Sequence, residues 1–218
     1  MGLQGGYLAI GRWRGAPVRL HWTLPVGALL FGQGRFVPGF WLGFFLLVFV
    51  HELGHAVLVR RHGHGVVSID IHALGGMCRW SGEPTAIDRS HIAWGGMLAQ
   101  AVAFAVATAA IALAGPPEGA FVGQLAAAFT VTNVWLMAIN LIPVAPLDGA
   151  EAWKLPGLLF RRRRARRRWS QAHAAGGFAF EREAATLAHY GDEPPEDVKA
   201  AVDDALRKLG RDPKQPLN

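Results

Sequence analysis

A run of Phe, Leu, Val and Ala is interrupted by His51-Glu52-Leu53-Gly54-His55. On a helix, positions i and i+4 share a face, so both imidazoles can bind one metal ion. Zinc is the expected ion, one per chain. It would supply Lewis acidity, activating water. Glu52 stands where it can orient and deprotonate that water. Ionisable groups within an apolar span are costly to bury and are functional by default. A catalytic zinc site commonly has three protein ligands and one open position, so a third ligand must come from elsewhere. Before residue 160 the remaining acids are Asp70, Glu83, Asp88, Glu118, Asp148 and Glu151. Asp148 follows a later apolar segment, in a turn stiffened by Pro143 and Pro146 and followed by Gly149. It can lie at the depth of His51 and His55, whereas Glu118 falls on the opposite side of the membrane. His21, His62, His64, His72 and His91 read as loop or interfacial histidines. Cys78, the single cysteine, reads as a small packing residue and excludes a disulfide framework within the chain.

The elements that must position these groups follow from composition. The chain has 218 residues, 51% hydrophobic and only 17% charged, against about 25% charged in an average soluble domain. The charge is unevenly placed. Residues 1–160 hold 9 Lys/Arg and 7 Asp/Glu, whereas 161–218 hold 13 and 9. No Asp, Glu, Lys or Arg lies between Arg89 and Glu118, or between Glu118 and Asp148. Each of those runs can cross a bilayer, which takes about 20 apolar residues. These figures argue against a purely soluble protein, including a soluble metalloenzyme with a hydrophobic core, and against a disordered one. The N-terminus shows no cleavable signal pattern, because Arg12, Arg14 and Arg19 precede the first apolar stretch.

The expected fold is an α-helical polytopic membrane protein. Residues 1–160 form the transmembrane core, with four spans at about 17–31, 40–59, 92–114 and 121–142. The first is short, its charge-free part reaching only about 22 Å. Placing the N-terminus, the 60–91 connection and everything after 142 on one side puts 15 Lys/Arg there through Arg168, against Arg35 alone on the other. That asymmetry sets both termini in the cytoplasm. Val67, Ile69 and Ile71 alternate with Ser68, Asp70 and His72, a strand period. Gly75-Gly76 offers a turn and Met77 to Trp80 a return strand, giving a short hairpin on the cytoplasmic side. Residues 161–218 form a basic juxtamembrane segment and a helical cytoplasmic tail, with helices over 178–190 and 196–209. Arg161–Arg164 and Arg166–Arg168 would meet anionic lipid headgroups, and no nucleic acid is expected.

The pair His51-Glu52-Leu53-Gly54-His55 and Asn140-Leu141-Ile142-Pro143-Val144-Ala145-Pro146-Leu147-Asp148-Gly149 resembles the site-2 protease family of intramembrane zinc metalloproteases, peptidase family M50. The resemblance covers roughly residues 15–155. It implies that His51, His55 and Asp148 bind zinc and that Glu52 is the general base. Asn140 would be a catalytic residue that hydrogen-bonds substrate or a polarised carbonyl. One departure is Gly95-Gly96, where the family often has Gly-Pro. Neither an inserted PDZ domain nor a CBS module is visible.

The function so implied is hydrolysis of peptide bonds in membrane-anchored substrates near the cytoplasmic leaflet, in a prokaryotic plasma membrane. A helical substrate would have to unwind, and the 66–80 hairpin could pair with its extended form. The competing reading is an inactive homologue that binds metal and acts as a membrane scaffold or chaperone. Glu52 weighs against it, since metal binding alone does not need that residue.

Overall fold

The computed structural model describes residues 5–73 and 75–175. The helices expected over 178–190 and 196–209 lie outside the described residues. The chain divides into two units, residues 1–84 with 88–154, and residues 85–87 with 155–218.

In the first unit the chain opens with two strands, β1 (Tyr7–Trp13) and β2 (Ala16–His21). The turn between them is Arg14-Gly15, both at positive φ, the backbone a two-residue hairpin requires. A short helix α1 (Leu24–Phe31) follows, then the long α2 (Pro38–Arg61). Proline at the start of α2 is preorganised for a first turn, and Arg60 and Arg61 sit in the last turn, where cations oppose the helix dipole. Strands β3 (Gly65–His72) and β4 (Gly75–Ser81) come next. Helix α3 (Ala86–Ala114) ends at Gly115, which has positive φ, before Pro116-Pro117. Residues Ala120–Asn140 then form one helical run. It comprises α4 (Ala120–Ala127), a π-helical turn over Ala128–Thr132, and α5 (Asn133–Asn140). The four-residue α6 (Gly149–Ala152) closes the unit.

Three helical segments among the described residues are long and apolar enough to cross a membrane: Pro38–Arg61, Ala86–Ala114 and Ala120–Asn140. The apolar stretch expected as a first span, 17–31, is not one helix. Its beginning belongs to β2, and α1 has only 8 residues, about 12 Å of helix. Val18 and Leu20 alternate with Arg19 and His21, which is a strand period, and Arg19 is bound by a sheet partner. The exposed faces of the long helices are apolar. Leu98, Val102, Val106 and Leu113 on α3, and Val131, Val134 and Trp135 on the following run, are all exposed. Such faces suit lipid.

The expected hairpin is half of a four-stranded sheet in the order β1-β2-β3-β4, with β2 and β3 parallel and the other pairs antiparallel. Asp70 of β3 is fully buried and explains the join. Arg19 grips both its oxygens, Nε to Oδ1 at 2.6 Å and a second guanidinium nitrogen to Oδ2 at 2.7 Å, and Arg79 Nε of β4 lies 3.1 Å from Oδ2. One buried carboxylate thus binds arginines on the strands to either side, the paired arrangement that buried charge requires. The hairpin turn also falls one step earlier than expected. His72 pairs with Gly75, so Gly75 and Gly76 lie inside β4.

The core sits between sheet and helices. Phe40, Phe44 and Val48 of α2 pack with Ile69, Ile71, Ala28 and Ala128. Small residues let the helices close on one another. A side chain at Gly54 would collide with the Gly95 carbonyl of α3, and one at Gly43 with Ala128, the close approach that small residues permit in membrane helices. In the second unit the described residues include α7 (Leu155–Ala175), which carries Arg161–Arg164 and Arg166–Arg168.

Candidate metal centre

His51 and His55 lie one turn apart on α2, both 7% exposed, with Glu52 3% exposed between them. Their Nε2 atoms are 3.1 Å from each other. Asp148 arrives from the other end of the unit and places Oδ2 at 2.9 Å from His51 Nε2 and 3.2 Å from His55 Nε2. Glu52 belongs to the same group, its carboxylate oxygen within 4.8 Å of the histidine nitrogens. Four of the five residues singled out by sequence therefore meet at one point.

The hydrogen bonds behind the rings decide what that point can hold. His55 Nδ1 lies 2.7 Å from the Ile92 carbonyl, which can only accept, so Nδ1 carries the proton. His51 Nδ1 lies 3.0 Å from Gln100 Oε1. Each neutral ring then directs an Nε2 lone pair inward. Two lone pairs and a carboxylate oxygen face one another, all acceptors, and the buried Asp148 Oδ2 finds no hydrogen-bond donor. A cation satisfies all three atoms at once. Two imidazoles and a carboxylate are a donor set suited to zinc. The rings' outer nitrogens are also held as metal-binding histidines usually are.

Asp148 is held by remote contacts. It stands at the N-cap of α6. A side chain at Gly149 would collide with the carbonyls of Leu141 and Ile142. Ser90 Oγ donates to the Glu151 carbonyl at 2.6 Å, Trp94 Nε1 to the Ala152 carbonyl at 3.0 Å, and Trp153 Nε1 to the Leu141 carbonyl at 2.7 Å. Two of these donors come from α3.

The walls are glycine on two sides. Gly96 of α3 lies so close to His51 and His55 that an added Cβ would come 2.5 Å from each ring. Gly76 of β4 lies against Glu52 in the same way, which leaves no room there for a side chain. The Cys78 backbone N–H donates to the Glu52 carboxylate. The Cys78 thiol is pushed up to about 12 by burial and by the nearby Glu52 and Asp70, which leaves it unreactive.

Asn140 is not drawn in. It is half-buried at the end of α5, and its side chain makes no hydrogen bond with another described residue. The fully buried asparagine is Asn133, seven residues earlier on the same helix face, which donates to the Gln100 carbonyl at 2.9 Å. The other histidines stay apart. His62 Nδ1 pairs with Asp88 at 2.8 Å, and His21 contacts Thr23 and Tyr7. Sequence reasoning missed Gln100, Ser90, Trp94 and Gly96. Gln100 alone left a signal, a primary amide within a charge-free apolar run.

Comparison with known proteins gives two kinds of match. A protein of Mycobacterium tuberculosis named "Putative zinc metalloprotease Rip3", found in strains Erdman and H37Rv, is 33% identical over 163 residues, which is 65% of this chain and 41% of the relative. The chain thus spans about two fifths of the length of the curated relatives it matches. Among solved structures, the site-2 protease from Methanocaldococcus jannaschii superposes with a TM-score of 0.55 over 86% of this chain and 94% of that one, at 16% identity. In sequence the chain is thus similar to a protein named as a zinc metalloprotease, and in fold to a site-2 protease. No family profile matches the chain. The structural likeness carries the fold alone, and the metal site rests on its own geometry.

Proposed function

We propose that the chain is an intramembrane zinc endopeptidase that hydrolyses peptide bonds of membrane-anchored proteins near the cytoplasmic leaflet, with both its termini on that side. The observation that carries this reading is the meeting of three acceptor atoms, from His51, His55 and Asp148, beside a buried Glu52. The three residues would hold zinc, which supplies Lewis acidity to water and to the scissile carbonyl. Glu52 takes the proton from the attacking water and delivers it to the leaving nitrogen. The Cys78 N–H holds one end of that carboxylate. Asn140 sits two turns from Asn133 on the same face, where it would meet a bound substrate. The polytopic core supports a plasma-membrane location, and the arginines of α7 support contact with anionic headgroups.

The test compares membranes holding the wild-type chain with membranes holding Glu52→Gln. Membrane proteins should accumulate uncut in the variant, and cleavage should fall by about 10²- to 10⁴-fold, the usual contribution of a general base. Zinc should stay bound. Equal cleavage in the two would end the peptidase reading and leave the scaffold alternative standing.

Strand addition is the proposed way of presenting substrate. β4 is the last strand of the sheet, and its Gly76 lies against Glu52. A peptide paired with its free edge would run beside the general base. The test is a substrate N-methylated at alternate amides away from the scissile bond. One register of methylation should block cleavage and the other should spare it; equal cleavage of both contradicts strand addition.

A further inference from the structure

We infer that Gln100 is a positioning residue that fixes His51 in its metal-binding tautomer, and that Asn133 anchors it. The inference rests on the zinc reading above and deepens it. Helix α3 is apolar and largely outward-facing, with Leu98, Val102 and Val106 all more than half exposed. Within it Gln100 is 1% exposed. A primary amide is expensive to bury without partners, so its place needs a reason. Its Oε1 lies 3.0 Å from His51 Nδ1. An acceptor there holds the proton on Nδ1 and leaves the Nε2 lone pair facing Asp148 and His55.

The two histidines differ in how they are held. His55 is fixed by a main-chain carbonyl, that of Ile92, which no substitution removes. His51 depends on a side chain, so the tautomer of one ligand is set by residue identity at position 100. That side chain is neutral, so it adds no third negative charge to the carboxylates of Glu52 and Asp148.

The anchor is equally specific. Asn133 is fully buried, and its Nδ2 donates to the Gln100 carbonyl at 2.9 Å and to the Phe129 carbonyl at 3.2 Å. The π-helical turn Ala128–Thr132 immediately precedes it. One extra residue in such a turn rotates all that follows by about 100°, which is what directs Asn133 at α3. Asn133 thus holds the main chain of Gln100, whose side chain meets His51.

The test uses the full chain in detergent, with zinc affinity read by competition against a chelator of known strength and the site geometry read from the visible absorption of bound Co2+. Gln100→Met, close in size and without an amide, should weaken zinc binding by about 10- to 100-fold, the usual cost of losing a ligand's outer partner, and alter the Co2+ band. Gln100→Asn, which keeps the amide but draws the acceptor away from His51, should fall in the same way and serves if the Met variant does not fold. Gln100→Glu retains an acceptor at full reach and should keep zinc affinity at or above the wild-type level, with its added charge shifting the Co2+ band. Wild-type affinity and spectrum in the Met or Asn variant would overturn the inference. So would an equal loss in the Glu variant, which would mean that packing and not the acceptor matters. A wild-type chain that binds no zinc removes the underlying reading first, and the inference with it.

Discussion

The two halves of the metal centre are built on opposite principles. His51 and His55 come from consecutive turns of one 24-residue helix, 50% buried over its apolar window. Helical periodicity alone sets their spacing. Asp148 comes from an irregular turn between α5 and α6, and it reaches the same point only because Ser90, Trp94, Trp153 and Gly149 hold its neighbours. A regular element carries a pair of ligands cheaply. An irregular one needs a separate bond for each backbone group it leaves unpaired.

That contrast can be broken most sharply at the ligands. Asp148→Asn removes a charge from a site that a cation must balance, so zinc should be lost from the purified chain and cleavage with it. Full zinc and full activity in that variant would mean that the third ligand is misassigned. The supports of Asp148 should show graded effects. Gly149→Ala forces a side chain onto two carbonyls and should destabilise the chain by about 1–3 kcal/mol, the range for overpacking, with weaker zinc binding. Ser90→Ala leaves the Glu151 carbonyl without its donor, at a cost of about 1–3 kcal/mol. A loss of zinc affinity in Ser90→Ala comparable to that of Asp148→Asn would show that the turn, not the carboxylate, decides the site. Melting curves and zinc titrations on the same preparations separate the two.

The contrast also sets what the sequence made legible. His51, Glu52 and His55 were readable because an i, i+4 pair survives as a spacing. Asp148 was readable through the chain's topology and through the resemblance of its surrounding motif. Its supports were not, because Ser90 and Trp94 bind main-chain carbonyls some 60 residues away, and such bonds leave no pattern. Two strands were missed for a different reason. The apolar residues around Val18 and Leu20 average to the hydropathy of a span, although they alternate with Arg19 and His21 and follow the Arg14-Gly15 turn. Hydropathy averaged over a window conceals a period of two. Gly76 was read as a turn by residue type, whereas in β4 it lies against Glu52, which leaves no room there for a side chain. The expectation for Asn140 came from the motif; the structure gives the buried role on that face to Asn133.

In the proposed centre three acceptors, two imidazoles and one carboxylate, share a zinc ion while Glu52 stays free for proton transfer. Zinc K-edge X-ray absorption on the purified full chain tests this directly. One zinc per chain is expected, with two histidine nitrogens and the rest of the shell oxygen, unchanged in number of imidazoles in Glu52→Gln. A chain without stoichiometric zinc, a sulfur ligand from Cys78, or a shell that loses an oxygen ligand in Glu52→Gln but not in Asp148→Asn would contradict it.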